Sequence, residues 1–165
     1  GASLRDTEVV LLDQESLTVR WEGVAERPVL SALRGFSAPV NLITDARPSD
    51  RYVLFGADPD LFNRWEAGQT LATRELLRLY RGEGEATLSA CLIDAFAQLL
   101  DHADSDPAFA ALALTLPADI ELLELQDHAD PARLCQVREQ ARAELAQALA
   151  ERLEQAGVEL EFEEL

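Results

Sequence analysis

The sequence lacks methionine and lysine altogether, and it contains only two cysteines and two histidines among 165 residues. All 14 cationic side chains are arginines, and 31 Asp and Glu residues give the chain a formal charge of −17. A field of this sign repels phosphate backbones and anionic membrane surfaces, so we expect neither nucleic acid nor a membrane as a partner. Acidity without lysine fits adaptation to high salt, and it fits codon bias equally well.

Long apolar runs are also absent, and none approaches the roughly 20 residues that a membrane-spanning helix needs. The first residues are polar and show no apolar segment of a signal peptide. The start at Gly1 favours an excised or processed segment over removal of an initiator methionine. Cys91 and Cys135 are too few for a disulfide framework or a zinc set, so we expect reduced, buried thiols in a cytoplasmic protein.

Residues 1–45 carry the signals of β-strands. Leu17, Val19 and Trp21 alternate with polar side chains at the period of two that is typical of a half-buried strand. The predicted extended segments are 7–12, 17–21 and 38–44, with a hairpin turn at 13–15. So few strands rarely form an independent sheet, and we expect an incomplete one.

From residue 46 onward the pattern is helical. Three Asp-Pro pairs predict helix starts, because Asp caps free amides and Pro has no amide to leave unsatisfied. These pairs are Asp58-Pro59, Asp106-Pro107 and Asp130-Pro131. The predicted apolar stripes are Leu61, Trp65, Ala72, Leu76 and Leu79; Leu88, Leu92, Phe96 and Leu99; and Leu134, Val137, Ala141, Leu145, Leu149 and Leu153.

Two short apolar helices are predicted at 109–116 and 120–125. The tail 158–165 is either a strand or an unpaired terminus. We therefore predict a mainly α fold in which antiparallel helical hairpins form a superhelical array, preceded by a few β-strands of an incomplete β-sandwich. Trp65 is expected to be largely buried in this array.

A search for chemistry finds no catalytic constellation. His102 and His128 each lie in a His-Ala-Asp repeat, but neither stands in the two-histidine frame of a hydrolytic zinc helix. The surrounding aspartates do not match a calcium loop either, so we favour polar loops between helices. The segment 82–85 (GEGE) lacks the third glycine of a phosphate loop, follows a helix and carries two glutamates, which predicts a flexible connector.

One stretch is more specific than these patterns. Residues 27–40 (RPVLSALRGFSAPV) resemble a junction of bacterial aminopeptidase N, P-x-S-L-L-R-x-F-S-A-P-V, with Ala32 in place of the usual Leu and Asn41 where Lys is common. Further matches follow in the family's order, namely FNRWEA at 62–67, LTLP at 114–117, and Asp130-Pro131 followed by VRE at 137–139. The resemblance runs from about residue 7 to residue 154.

This resemblance implies that 1–45 is the end of an Ig-like β-sandwich domain and 46–165 the first part of an α-helical superhelical domain. The family's members are zinc exopeptidases with an HExxH motif, a distal Glu ligand and a G-x-M-E-N element, none of which occurs in this sequence. We therefore assign no catalytic, substrate-binding or metal-binding residue and no cofactor here, since the family's zinc belongs to its catalytic domain. Whether the chain is an enzyme in its own right stays uncertain, but we expect it to be inactive alone.

The implied role is that of a non-catalytic fragment, which braces the catalytic domain and helps to enclose the active site for removal of N-terminal residues. Its expected partner is that catalytic domain, and a homodimer through the exposed N-terminal strands is a further possibility. The alternative is a freestanding acidic helical module that binds a basic partner. A continuous reading frame encoding HExxH would distinguish the fragment from the module.

Overall fold

The computed structural model describes residues 7–40 and 42–155, so the predicted tail at 158–165 lies outside the described residues. Helices dominate the described part, and the predicted mainly α fold is confirmed. The α-helices are α1 (Pro48–Ala57), α2 (Leu61–Arg81), α3 (Ala90–Leu100), α4 (Pro107–Leu114), α5 (Asp119–Glu124) and α6 (Pro131–Gln155). Short 3-10 turns occupy Arg34–Phe36 and Ala103–Ser105.

Aspartate side chains cap the N-termini of α2, α4 and α6. Asp106 Oδ1 accepts a hydrogen bond from the backbone amide of Phe109 at 2.9 Å, and Asp130 caps α6 in a similar way, as predicted for these Asp-Pro pairs. The first pair was assigned wrongly. Asp58 ends α1, with its amide bonded to a carbonyl of that helix, and Asp60 caps α2. Pro59 therefore lies between two helices and does not begin one.

The helices pack as an array in which contacts join both sequential helices, as in α1 with α2 and α5 with α6, and helices more distant in the chain. A three-residue connection turns α1 back onto α2, and α1 also contacts α3. Helix α6 contacts α2, α3 and α5, while α4 contacts α2 and α3. Short connections of this kind produce the antiparallel hairpins that the sequence predicts.

The core confirms two of the three predicted stripes. Every member of the α3 stripe is buried, including Leu88 just before the helix, and in the α6 stripe Val137 alone is only partly buried. The α2 stripe is correct only in part, because Ala72 and Leu76 are buried and Leu79 is partly buried, but Leu61 is half-exposed and Trp65 is only partly buried. The buried face of α2 consists of Asn63, Ala67, Gly68, Leu71, Ala72, Leu76 and Leu77.

A small residue, Gly68, explains which face of α2 is buried. At Gly68 a Cβ atom would lie 2.6 Å from the ring of Phe55, which is buried in α1. The Phe55 ring packs edge-on against Phe96 of α3, with 5.4 Å between the ring centroids. Helices α1 and α2 therefore approach each other where α2 has no side chain, and the larger residues at the start of α2 turn away from that contact.

The segment before α1 forms no hydrogen-bonded strand in the described residues 7–40 and 42–47. Leu17 and Trp21 are exposed, and Val19 is half-buried. The predicted strands at 7–12 and 17–21, and the described residues 38–40 and 42–44 of the third, thus form no ladder. An isolated pair of strands is marginally stable, because it needs further strands or a packed face to cover it.

The connector after α2 is ordered by an arginine, in contrast to the flexible connector that the sequence predicted. Gly82 closes α2 in a left-handed conformation, with φ of 69°. Arg78 donates to the backbone carbonyls of Glu83 and Glu85 through Nη1 and to that of Thr87 through Nη2, at 2.6–2.8 Å. One guanidinium therefore holds the whole loop against the end of α2.

Candidate functional site

Segment 27–36 lies against the corner where α1 turns into α2, and a salt bridge anchors it there. Arg34 Nη2 lies 2.9 Å from Asp58 Oδ1, and the Asp58 side chain is completely buried. The same oxygen accepts a hydrogen bond from the backbone amide of Asp60 at 2.9 Å. A buried carboxylate needs a counter-charge and donors, so Arg34 fixes this segment to the helices. We call this set of contacts, including those described next, the joint.

The backbone at the centre of the joint turns through left-handed conformations. Leu33, Gly35 and Phe36 have φ values of 57°, 63° and 54°. For Leu and Phe this conformation costs about 1 kcal/mol or more each, so neighbouring contacts must hold it. One such contact is the Gly35 amide, which donates to Asp60 Oδ2 at 2.8 Å.

Asp60 joins the turn to the start of α2. Its Oδ1 accepts the backbone amide of Asn63 at 3.0 Å, while its Oδ2 holds Gly35. These hydrogen bonds hold the pKa of Asp60 below its usual value, and the bond from the Asn63 amide has a larger effect than the bond from the Gly35 amide. The side-chain amide of Asn63 in turn donates to Ser31 Oγ at 2.9 Å and to the Ala32 carbonyl at 2.7 Å.

A second ion pair secures the beginning of the segment. Arg27 binds both carboxylate oxygens of Asp50 through two parallel hydrogen bonds of 3.0 Å. Asp50 also accepts the backbone amide of Arg47 at 3.0 Å, which caps the start of α1. The hydrogen bonds from Arg27, and to a lesser degree the one from the Arg47 amide, hold the pKa of Asp50 below its usual value. Arg27 is half-exposed, so this pair is weaker than the buried one.

Aromatic rings extend the joint onto the surface. The Phe36 ring lies 4.1 Å from that of Phe62 between centroids, and Phe62 lies 5.9 Å from Trp65. Phe36 is nevertheless 69% exposed. Next to these rings a groove of about 550 Å³ runs between the start of α2 and α4, and its walls are almost entirely apolar.

The two histidines are separated in the sequence, and both lie on the surface. His102 is exposed and its Nδ1 lies 3.1 Å from the Gln98 carbonyl, and His128 is exposed as well. Within residues 7–40 and 42–155 no three His, Cys, Asp or Glu side chains are grouped so that they could hold a metal ion. The described residues therefore do not fit the zinc of the family that the sequence resembles.

The cysteines differ from the prediction. Cys91 and Cys135 are both free and both exposed, whereas buried thiols were expected. Each lies in the first turns of a helix, on the side away from the core stripe, which is where a three- to four-residue periodicity places it. No helix of the described part is long and apolar enough to cross a membrane.

Sequence reasoning missed the joint as a site. Arg34 lies within the stretch quoted for the resemblance, but its partner Asp58 was interpreted as a helix cap. The available signal was the pair of acids at 58 and 60 flanking a proline, since two carboxylates so close to one helix start exceed what capping needs.

Two family models match the chain. A domain of unknown function with ARM repeats (DUF3458_C) matches residues 48–163, and a domain of unknown function with an Ig-like fold (DUF3458) matches residues 1–45. The division of the chain at 45/46 stays a prediction.

Three relatives of the chain are named aminopeptidase N. That of Caulobacter vibrioides is 52% identical over 162 residues, which is 98% of this chain and 19% of that protein. The Escherichia coli protein is 38% identical over 151 residues, 88% of this chain, and the Haemophilus influenzae protein is 30% identical over 146 residues, 87% of this chain. The chain thus spans about a fifth of the length of these relatives.

A solved structure agrees with this. Legionella pneumophila aminopeptidase A, in complex with aspartic acid, superimposes with a TM-score of 0.73 at 27% identity, covering 93% of this chain and 18% of that one. The chain therefore belongs to the DUF3458_C family of ARM-repeat domains, and it corresponds to one segment of the bacterial aminopeptidases N.

Proposed function

We propose that this chain is a non-catalytic part of a zinc aminopeptidase, in which it braces the catalytic domain and helps to enclose the active site where N-terminal residues are removed. The observation that carries the proposal is a match over 98% of the chain to an aminopeptidase N of which it covers only 19%. Most of the relatives' sequence lies outside this segment, and that part has room for the catalytic residues. A cytoplasmic location belongs to the same proposal.

The joint supports a bracing role. It fixes segment 27–36 to the corner of α1 and α2 by two ion pairs and by hydrogen bonds from Gly35 and Asn63. A connection held in this way transmits position between the unit matched by the Ig-like model and the helices, whereas a free linker would let them move independently. A rigid connection is what an element that shapes an enclosure requires.

Peptidase assays test the proposal. The chain alone, with and without added zinc, should release no N-terminal residue from an aminoacyl-anilide, because a hydrolytic zinc site takes three protein ligands and a water. The complete product of the gene should release it. Zinc-dependent activity of the purified chain alone would contradict the proposal, as would a complete product without HExxH. The latter result would favour the acidic interaction module.

A further inference from the structure

The segment before α1 is attached to the helices by polar contacts and not by a core. Among the described residues 7–40 and 42–49 none is buried, whereas the buried apolar residues of the described chain begin at Phe55. The ring contact of Phe36 with Phe62 leaves Phe36 69% exposed. Shared burial of apolar surface is what makes parts of a domain unfold together. A segment without it can leave its place while the helices stay folded.

The helical side of the joint consists of three acids at one corner. Asp50, Asp58 and Asp60 each bind segment 27–36. Each of them also accepts a backbone amide at the start of α1, between α1 and α2, or at the start of α2. The helices and their corner therefore position these carboxylates without help from the segment. This side of the joint keeps its form when the segment leaves.

On the segment side, Arg34 links the contacts to one another. Its Nη2 binds Asp58, its Nε donates to Ser31 Oγ at 3.0 Å and its Nη1 donates to Thr7 Oγ1 at 2.6 Å. Ser31 Oγ also accepts the side-chain amide of Asn63 at 2.9 Å. Because these contacts share one guanidinium, the loss of its ion pair loosens the segment as a whole and not at a single point.

The backbone of the turn opposes these contacts. Leu33 and Phe36 have φ values of 57° and 54°, in the left-handed region that residues other than glycine seldom adopt. This strain is present only while the joint holds the turn, so it is relieved when the segment leaves. Polar contacts therefore favour the attached state, and backbone strain favours the detached one. Such opposing terms are typical of an element with two states.

We propose that the joint is a latch, in which segment 27–36 transiently opens from the helices and closes onto them as one unit while α1 to α6 stay folded. The closed latch fixes the residues matched by the Ig-like model to the corner of α1 and α2. The open latch lets those residues move independently of the helices. The inference rests on contacts within this chain and does not depend on the proposed function.

Trypsin can report the opening, because the sequence offers it a single bond near the turn. The chain has no lysine, and trypsin cuts after arginine unless proline follows. Arg27 and Arg47 both precede proline, so between residues 21 and 50 only the bond after Arg34 can be cut. Trypsin must take the Arg34 guanidinium into its own acidic pocket. The ion pair with Asp58 prevents this while the latch is closed.

Cutting after Arg34 should be slow and should release a helical fragment that begins at Gly35 and accumulates. Its rate should rise only weakly with urea, because opening of the latch exposes little surface. Cutting after Arg142, within α6, should rise steeply with urea, because it requires the helices to unfold. Equal urea dependence at the two sites would overturn the proposal. Cutting after Arg34 as fast as in a short peptide of residues 28–40 would also overturn it, since the latch would then not close.

Two glycines provide a matched pair of variants, with each rate compared to that of the same bond in a short peptide. Gly35 and Gly23 have φ values of 63° and 76°, and at neither would an added Cβ meet an atom within 4 Å. Gly35→Ala strains the closed latch and should speed cutting after Arg34 about fivefold or more. Gly23→Ala carries the same strain outside the joint and should change that rate by less than about twofold.

A third variant removes the counter-charge of the latch. Asp58→Ala should speed cutting after Arg34 more than about tenfold, because it frees the guanidinium from its buried partner. Equal effects of Gly35→Ala and Gly23→Ala would reject the latch, because strain in the turn would then not act on the opening. An unchanged rate in Asp58→Ala would reject it as well, because the ion pair would not hold the segment.

Discussion

At the scale of single residues, the pair of Arg34 and Asp58 decides whether the segment before α1 stays on the helices. The Asp58 side chain is completely buried, and its Oδ2 has no hydrogen-bond partner in the described residues. Arg34→Ala should therefore cost about 3 kcal/mol of unfolding free energy, because it leaves a buried charge without its counter-charge. Urea unfolding measures this loss.

A comparison with the other ion pair of the joint controls for the removal of an arginine. Arg27→Ala breaks a similar two-bond contact, but the Arg27 side chain is 52% exposed, so its loss should be clearly smaller. The double variant Arg34→Ala, Asp58→Ala should be more stable than the sum of the single losses implies. Equal losses for Arg27→Ala and Arg34→Ala would show that burial of Asp58 does not govern the joint.

Acid should weaken the joint. The folded pKa of Asp60 is lowered, chiefly by the amide of Asn63, so its contribution to stability is present above the ordinary carboxyl pKa of about 4. That contribution is lost as the pH falls below 4 and through the lowered value. The difference in urea midpoint between the wild type and Asp60→Asn should therefore shrink on going from pH 6 to pH 3. A difference that stays constant would contradict this, and Asp104→Asn at an exposed position controls for net charge.

At the scale of the helices, the close contact between α1 and α2 at Gly68 predicts that Gly68→Ala and Gly56→Ala change stability in opposite directions. Gly68→Ala would place a Cβ atom 2.6 Å from the buried Phe55 ring, which also packs edge-on against Phe96. The clash should outweigh the better helix propensity of Ala, for a net loss of about 1–2 kcal/mol. Gly56→Ala in α1 meets no atom within 4 Å, so it should gain about 0.5 kcal/mol. Thermal unfolding of both variants checks the pair, and a stabilising Gly68→Ala would mean that α1 can move aside.

Helix positions could be predicted because they depend on local signals. Asp106 and Asp130 cap α4 and α6, as their Asp-Pro pairs predict. The stripe of α6 from Leu134 to Leu153 faces the core, with Val137 only partly buried, because helical periodicity decides it. The buried face at the start of α2 could not be predicted in this way. It depends on the fit of Gly68 against Phe55 in another helix, and periodicity alone favours the larger Leu61 and Trp65 for the core.

The candidate site was less predictable than the helices. Arg34 binds Asp58, and Asn63 donates a hydrogen bond to the Ala32 carbonyl. Each pair is far apart in the sequence, and no local pattern predicts that its members come together. The same holds for the connector after α2, where glycines indicated flexibility but Arg78 supplies the order. Contacts between distant parts of the chain decide these features, and only the fold brings the partners together.

At the scale of the whole molecule, two properties of the chain oppose each other. Its charge of −17 repels further copies, whereas the segment before α1 exposes several large apolar side chains to solvent. The most exposed of these are Val9, Leu11, Leu12, Leu30, Phe36 and Ile43. In a longer aminopeptidase other strands of an Ig-like unit would cover such side chains. In the isolated chain a second copy is the available cover.

We therefore expect the isolated chain to dimerise through residues 7–24, and we expect salt to strengthen the dimer. Raising the salt from 0.1 to 1 M shortens the screening length from about 10 to about 3 Å and so removes the repulsion between acidic copies. Sedimentation equilibrium at micromolar concentration should show more dimer in 1 M salt. Trp21→Glu should abolish it, whereas Val53→Glu, at 52% exposure against 54% for Trp21, should not. A monomer at both salt concentrations would mean that the exposed segment has no affinity for itself, and equal effects of the two variants would place the contact elsewhere.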